Sequence, residues 1–171
     1  MKLEMGDIAD LREYERERDE FRSHVIDLKR RRRVSVGPFV TFVFENRDTI
    51  RFQIQEMARA EKLITDEAIQ NELDTYNPLI PEPGQVSATM FIELTSDEEL
   101  RRWLPQLVGI ETEVELRLSG GSTVRCAVDP DHLQQLTREE ITAAVHYVHW
   151  DLTSAQVDEL VDGPVVLAIT H

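Results

Sequence analysis

The stretch TEVELRLSGGSTVRCAV, residues 112–128, decides the fold prediction, because two runs of alternating apolar and polar residues flank a Gly-Gly pair. This pattern is typical of a β-hairpin, whose two strands run antiparallel. A three-residue loop at 119–121 gives well-matched cross-strand pairs on both faces. The predicted pairs are Val114 with Cys126, Leu116 with Val124 and, on the other face, Glu115 with Arg125. We therefore predict an antiparallel sheet.

Helical patterns occur on both sides of this hairpin in the sequence. An apolar stripe of Tyr14, Phe21, Val25 and Leu28 predicts a first helix that ends in the cations of residues 29–33. Residues that favour the N-cap position predict further helices later in the chain. These caps are Asn46, Thr65, Ser96 and Thr153 or Ser154, and a short helix is also predicted near Leu136 to Ile141.

The remaining apolar runs predict strands. They cover VSVGPFVTFVFE, broken by Gly37-Pro38, then QVSATMFIEL, AAVHYVHWDL and PVVLAITH. Together with the hairpin they favour a single α+β domain over residues 1–171, with a mainly antiparallel sheet and flanking helices. A doubly wound sheet is the alternative, but neither GxGxxG nor GxxxxGK[ST] occurs.

The stretch FENRDTIRFQIQEM, residues 44–57, fits two structures. Ile50, Phe52 and Ile54 alternate with polar residues, as in a strand. Ile50, Ile54 and Met57 also form a helical stripe behind the N-cap candidate Asn46. We favour the helix, and the strand stays open.

Composition excludes several classes of function. The chain has 171 residues and a formal net charge of −14, which opposes binding to nucleic acid or to an anionic membrane. Its single cysteine, Cys126, permits no intrachain disulfide, and no apolar leader or membrane-spanning run is present. The cytoplasm is the expected compartment.

The five cations of residues 29–33 are the exception to this acidic character. Such a run can neutralise phosphates. Cations are also favoured in the last turn of a helix, where they oppose the negative end of the helix dipole. We favour the helix end, and we predict that the protein binds no nucleic acid and no membrane.

Polar side chains around the 44–57 corner and the following proline-rich loop form a candidate ligand-binding site. The corner supplies acids, amides and a cation where a strand is predicted to meet a helix. The alternative is that Asn46 and Asp48 cap a helix and Arg47 pairs with an acid. The candidate ligand-binding residues are Glu45, Asn46, Arg47, Gln53, Glu56, Glu72, Tyr76 and Asn77.

No cofactor and no metal site are predicted, and the catalytic residues are unknown. His146 and His149 are three residues apart, which would place both rings on one face of a helix but on opposite faces of a strand. The surrounding Val, Tyr and Trp residues favour a strand. Cys126 alone cannot hold an iron–sulfur cluster, which normally takes four thiolates.

Four segments of the chain, in order, resemble an uncharacterised bacterial family, the domain of unknown function 3501. They are FENRDTIRFQIQEMARAEK, ELDTYNPLIPEPGQVSATMFIEL, RRWLPQLVGIE and AVHYVHWDLTSAQVDEL. The resemblance brings no activity with it. It implies an association with redox metabolism, because family members are often encoded near rubrerythrin-like proteins and iron–sulfur oxidoreductases.

Two functions follow as expectations. The first is a soluble, non-catalytic accessory or interaction protein whose partner is an iron–sulfur oxidoreductase or a rubrerythrin-like protein. The alternative is a small-molecule-binding protein or an enzyme with a polar pocket around residues 45–56 and 72–77. Whether the protein is an enzyme stays open, as does its oligomeric state.

Overall fold

The protein is described as a computed structural model that covers residues 1–128 and 144–171. Its chain forms two compact units: unit 1 contains Met1–Arg32 and Glu45–Glu82, and unit 2 contains Arg33–Phe44 and Pro83–His171. The described helices are α1 (Leu11–Arg30), α2 (Arg47–Glu61), α3 (Asp66–Tyr76), α4 (Asp97–Trp103) and α5 (Ser154–Asp162). The described strands are β1 (Arg33–Val36), β2 (Val40–Phe44), β3 (Gln85–Ile92), β4 (Val114–Arg117), β5 (Thr123–Arg125), β6 (Ala127–Val128), β7 (Val145–Asp151) and β8 (Val166–Ile169).

Unit 1 is helical, and α1 packs against α2. Tyr14 and Val25 of α1 and Ile50 and Ile54 of α2 have no exposed surface. The ring of Phe52 packs edge to face against the ring of Phe21 in α1, with 6.0 Å between the ring centroids. This is a favourable arrangement for aromatic pairs. Apolar residues at helical spacing therefore form this interface, as the stripe in α1 predicts.

The 44–57 stretch is a helix from residue 47 onward, so the strand alternative is wrong. The prediction that the first helix extends through the cations to residue 33 is also wrong in part. Helix α1 ends at Arg30, and Arg33 opens β1. The physical reason lies in Val34 and Val36, whose branched side chains and alternation favour an extended backbone.

Unit 2 contains two antiparallel sheets that share one core. The five-stranded sheet has the order β1-β2-β3-β7-β6, and the three-stranded sheet has the order β5-β4-β8. Phe42, Met90 and Trp150 of the first sheet and Val114 and Leu116 of the second belong to one buried cluster. The α+β class with mainly antiparallel sheets is confirmed.

The predicted hairpin is confirmed in its register. Leu116 lies opposite Val124, and Glu115 opposite Arg125. The N–H of Cys126 donates to the carbonyl of Val114 at 2.9 Å, as this register requires. The strand prediction around the two histidines is also confirmed by β7.

Two predictions remain without a test. The helix near residues 136–141 lies outside the described residues. The single domain over residues 1–171 stays a prediction.

Candidate functional site

The start of α2 is organised around Thr49. The Oδ1 atom of Asn46 accepts the backbone N–H of Thr49 at 2.9 Å, and the Thr49 hydroxyl accepts the backbone N–H of Asn46 at 2.9 Å. Glu45 is buried, and its carboxylate accepts the hydroxyl of Thr49. Reciprocal bonds of this kind satisfy N–H groups that a helix start leaves free. Glu45 and Asn46 therefore fix the entry into α2.

Two further side chains of α2 hold the N-terminal segment. Arg47 Nη2 lies 2.9 Å from Asp7 Oδ1. The pKa of Asp7 is lowered, first by the backbone N–H of Glu4 and then by Arg47. The fully buried amide of Gln55 accepts the N–H of Ala9 at 2.8 Å and donates to the Ala9 carbonyl at 3.2 Å. Gln55 was not among the predicted site residues, although an amide next to the apolar stripe of α2 is a signal for such a contact.

Glu56 forms an ion pair between α2 and α1. Arg18 Nε and Nη2 donate to its two carboxylate oxygens at 3.0 and 2.7 Å, and the hydroxyl of Tyr14 donates to Oε2 at 3.0 Å. The hydrogen bonds from Arg18 hold the pKa of Glu56 below its usual range, against the opposing effect of burial. Burial and the neighbouring carboxylate raise the pKa of Tyr14. Glu56 is thus an ionised carboxylate with its charge already compensated.

The second group of predicted residues lies at the end of α3. The Asn77 amide makes two hydrogen bonds with the backbone of Leu3, each at 2.8 Å. Glu72 and Tyr76 are half-buried in the preceding helix. Burial raises the pKa of Glu72, and the charge of Glu61 adds to this effect. The Asn77 side chain therefore binds the backbone of the N-terminal segment. Glu72 has a raised pKa, as a candidate proton donor would.

All eight predicted residues lie in unit 1, but none of them lines the cleft of about 510 Å³ that the described part of this unit contains. That cleft lies between the segment before α1 and the connection from α2 to α3. Gln53 is half-buried. The use of these residues as ligand contacts stays a prediction.

Unit 2 contains an apolar groove of about 380 Å³ at the edge of its core. The lining side chains are apolar except for Ser35, and none of them is ionisable. They are Val34, Ser35, Val36, Phe44, Val86, Leu116, Leu160, Val165 and Leu167. Such a surface binds apolar groups but offers no side chain for acid–base chemistry at neutral pH.

Trp150 lies beside this groove. Its ring centroid is 6.1 Å from that of Phe44, and its Cα pairs with that of Val86, so two residues of the groove flank it. The side chain is 0% exposed. Its indole Nε1 has no hydrogen-bond partner in the described structure.

Exposed valines cluster in the short stretch from α5 into β8. Val161, Val165 and Val166 are 77%, 36% and 53% exposed, respectively, and together they are named the valine rim. The carboxylates of Asp158 and Asp162 lie in the same stretch and are also exposed. Apolar side chains that are exposed together commonly mark a contact surface.

Comparison with known proteins places the chain in a family. A sequence profile described as "Protein of unknown function (DUF3501)" matches residues 2–171. The chain belongs to the DUF3501 family. A crystal structure of a protein of unknown function from Burkholderia pseudomallei is similar to it, with 36% sequence identity and a TM-score of 0.91. The match covers 100% of this chain and 88% of that one. No curated protein matches the chain.

The single cysteine of this DUF3501 chain, Cys126, is half-buried. Burial raises the pKa of Cys126, whose thiol donates to the carbonyl of Glu111 at 3.0 Å. Within residues 1–128 and 144–171, no three His, Cys, Asp or Glu side chains are grouped as metal ligands. Over the same ranges, no helix combines the length and apolar character needed to cross a bilayer.

Proposed function

We propose that this DUF3501 protein is a non-catalytic accessory protein that binds a partner protein through the valine rim. The observation that carries the proposal is the exposure of Val161 and Val166 on a chain whose net charge is −14. Exposing apolar side chains to water is unfavourable, and burying them against a partner recovers that free energy.

The charges beside the valine rim define the partner's chemistry. Asp158 and Asp162 flank the exposed valines, so the surface has an apolar centre and an acidic border. Interfaces commonly combine an apolar centre with a charged rim of complementary sign. The partner therefore presents an apolar patch bordered by Lys and Arg. The family resemblance supports an iron–sulfur oxidoreductase or a rubrerythrin-like protein as this partner.

The state of Glu56 supports an accessory role. A general acid or base needs a pKa near the working pH, whereas Arg18 and Tyr14 hold Glu56 as an ionised, compensated carboxylate. The raised pKa of Glu72 favours the second candidate function, a small-molecule-binding protein or enzyme that uses the polar residues of 45–56 and 72–77.

The test is a binding measurement between purified proteins, with an iron–sulfur oxidoreductase or a rubrerythrin-like protein from the same organism as the immobilised partner. The variant carries Val161→Lys and Val166→Lys. These substitutions remove the apolar centre of the valine rim and bring cations close to the Lys and Arg residues proposed for the partner. Because a lysine buried in an apolar contact would lose its hydration without gaining an ionic partner, we expect affinity to fall by about tenfold or more.

Ile64→Lys is the matched control, because Ile64 is also a highly exposed apolar residue, 83% exposed, but belongs to unit 1. This variant should bind like the unmodified protein. Equal affinity of the valine variant and the control would refute the valine rim. Failure of every candidate partner to bind would refute the accessory role in redox metabolism.

A further inference from the structure

We propose that the partner bound by the valine rim inserts one large apolar side chain into the apolar groove of unit 2 and places a Lys or Arg beside it, at the end of α5. This contact rests on the proposed function, partner binding by the valine rim, and adds what the partner presents there. Three features carry it: the position of the exposed apolar side chains, the lining of the groove and the charges at the end of α5.

The exposed apolar side chains of unit 2 converge on the groove. In the described part of this unit, the exposed large apolar residues are Val34, Val161, Val165 and Val166. Val34 and Val165 line the groove. Val161 and Val166 are the sequence neighbours of Leu160 and Leu167, which also line it. The valine rim and the groove therefore form one apolar surface, and exposed apolar surface that is contiguous commonly marks a protein–protein contact.

The groove fits a large, uncharged apolar side chain. It measures about 380 Å³, and the polar residue among its nine lining residues, Ser35, carries no charge. A charged side chain in this space would lose its hydration without gaining an ionic partner, whereas an apolar one gains the free energy of leaving water. Binding energy at protein interfaces is concentrated in a few anchors of this kind, which fill pockets. The ring of Phe44 belongs to the lining and favours a phenylalanine side chain as the anchor.

The end of α5 favours a cation beside this anchor. The last turn of α5 contains no basic residue, although the C-terminal end of a helix carries the negative end of the helix dipole. Asp158 and Asp162 are exposed near this end and add two negative charges. Asp162 precedes Val165 by three residues, so their Cα atoms lie within about 11 Å of each other, the reach of an extended chain. A Lys or Arg next to the partner's anchor therefore meets charges of opposite sign.

Three capped dipeptides separate the anchor from the cation. Acetyl-Phe-Lys-amide has both, acetyl-Ala-Lys-amide lacks the anchor, and acetyl-Phe-Gln-amide lacks the charge. Binding to the whole protein is followed by the NMR methyl signals of Leu160 and Leu167 in the groove. We expect acetyl-Phe-Lys-amide to shift these signals and to bind about tenfold or more tightly than acetyl-Ala-Lys-amide, because the phenylalanine ring removes more apolar surface from water. Acetyl-Phe-Gln-amide should bind about 2- to 5-fold more weakly, the usual effect of losing an exposed ion pair.

Two variants assign the two contacts. Val34→Trp fills the groove from its exposed side, and Val34 is 40% exposed on an edge strand, where an aromatic residue is tolerated. This variant should bind both phenylalanine dipeptides about tenfold or more weakly, because the anchor loses its space. Ile64→Trp is the matched control, since it adds the same indole to an exposed residue of unit 1, and it should bind them like the unmodified protein. Asp162→Asn should remove the preference for acetyl-Phe-Lys-amide over acetyl-Phe-Gln-amide.

The groove contact is overturned if acetyl-Phe-Lys-amide leaves the methyl signals of Leu160 and Leu167 unchanged, or if it binds no more tightly than acetyl-Ala-Lys-amide. It is also overturned if Val34→Trp binds like the unmodified protein. Equal binding of acetyl-Phe-Lys-amide and acetyl-Phe-Gln-amide overturns the cation.

The dipeptides need no partner protein, so these results are separate from the test of the valine rim. A partner protein that loses affinity for the variant with Val161→Lys and Val166→Lys, but binds Val34→Trp as tightly as the unmodified protein, would support the valine rim and refute the groove contact.

Discussion

Arg18 and Glu56 form a bidentate ion pair that connects α1 to α2, with nitrogen–oxygen distances of 3.0 and 2.7 Å. The side chains are 22% and 27% exposed, so solvent screens this pair less than it screens the pairs on the surface. Glu56 is one of the candidate ligand-binding residues predicted from the sequence, and Arg18 is its partner on α1. Their contact shows how a cluster of polar residues can serve the fold.

Replacing Glu56 by Gln should lower the free energy of unfolding by about 2 kcal/mol at pH 7, because charge-assisted hydrogen bonds are lost. The folded pKa of Glu56 is lowered, so its contribution is present above the unfolded value of 4.5 and is lost as pH falls through the folded pKa. Urea unfolding at pH 7 and pH 3 should therefore show a smaller difference at pH 3. Glu15→Gln, which breaks an exposed pair with Arg59, is the control and should change stability little.

Asn46→Ala should lower the free energy of unfolding by about 1 kcal/mol, the usual cost of losing an N-cap. The cap hydrogen bond to the N–H of Thr49 is the interaction removed. Chemical denaturation measures the change, and Asn71→Ala on the exposed surface of α3 is the control. Unchanged stability combined with loss of a binding activity would instead favour the candidate site at this corner.

The local elements were predictable because their signals are local. Asn46, Thr65 and Ser96 each cap a helix as predicted, and Thr153 is the cap of the two predicted alternatives Thr153 and Ser154. These caps are predictable because an N-cap bond involves residues only two or three positions apart. The hairpin register also followed from nearby residues, because a three-residue loop and the matching of faces leave few alternatives.

Contacts between distant residues were not predictable. The pairing of β8 with β4, and the split of the strands into two sheets, depend on packing that no short motif encodes. The polar residues of the 44–57 corner bind partners far along the chain, which a local pattern cannot predict. Arg47 pairs with Asp7, and Glu56 pairs with Arg18. The apolar groove of unit 2, with Trp150 beside it, was not predicted for the same reason. Valines and leucines that alternate along a strand indicate a buried core as readily as they indicate a groove.

Neutralising the arginines of residues 30–33 should leave nucleic-acid affinity unchanged and negligible at physiological salt. Arg30 and Arg31 end α1, and Arg30 already pairs with Asp27 at 3.1 Å. Fluorescence anisotropy with labelled DNA and RNA at about 0.15 M salt, where the Debye length is about 8 Å, measures this. Tight binding by the unmodified protein that weakens with added salt would contradict the prediction.

His171 should titrate with a pKa above 6.5, the usual value for histidine. Its Nε2 lies 2.9 Å from the carbonyl of Gln106 and its Nδ1 2.9 Å from the carboxylate of Glu113, and both partners accept hydrogen bonds from the protonated ring. The raised pKa means that this contact stabilises the fold fully below pH 6.5 and is lost as pH rises through the folded pKa. An NMR titration measures the pKa directly. Glu113→Gln should lower it, and an unchanged value would contradict the role of Glu113.

Purified protein should carry no stoichiometric transition metal. His146 and His149 lie on β7, where His146 is buried with Val148 and Trp150 while His149 alternates to the other face. Two rings on opposite faces of a strand cannot share one ion. Elemental analysis of freshly purified protein is the measurement. About one iron or zinc per chain, lost in a His146→Ala or His149→Ala variant, would show the prediction to be wrong.

The side-chain amides of Gln55 and Asn77 each bind one residue of the N-terminal segment through a donor and an acceptor at once. Each amide copies the hydrogen-bonding pattern of a neighbouring peptide group, so Ala9 and Leu3 are paired as if they lay in a ladder, although neither belongs to a strand. Their N–H groups are consequently shielded from exchange with deuterium in the solvent. We therefore expect the N–H groups of Leu3 and Ala9 to exchange as slowly as those of regular secondary structure, because local opening at either residue requires breaking both bonds of one side-chain amide together.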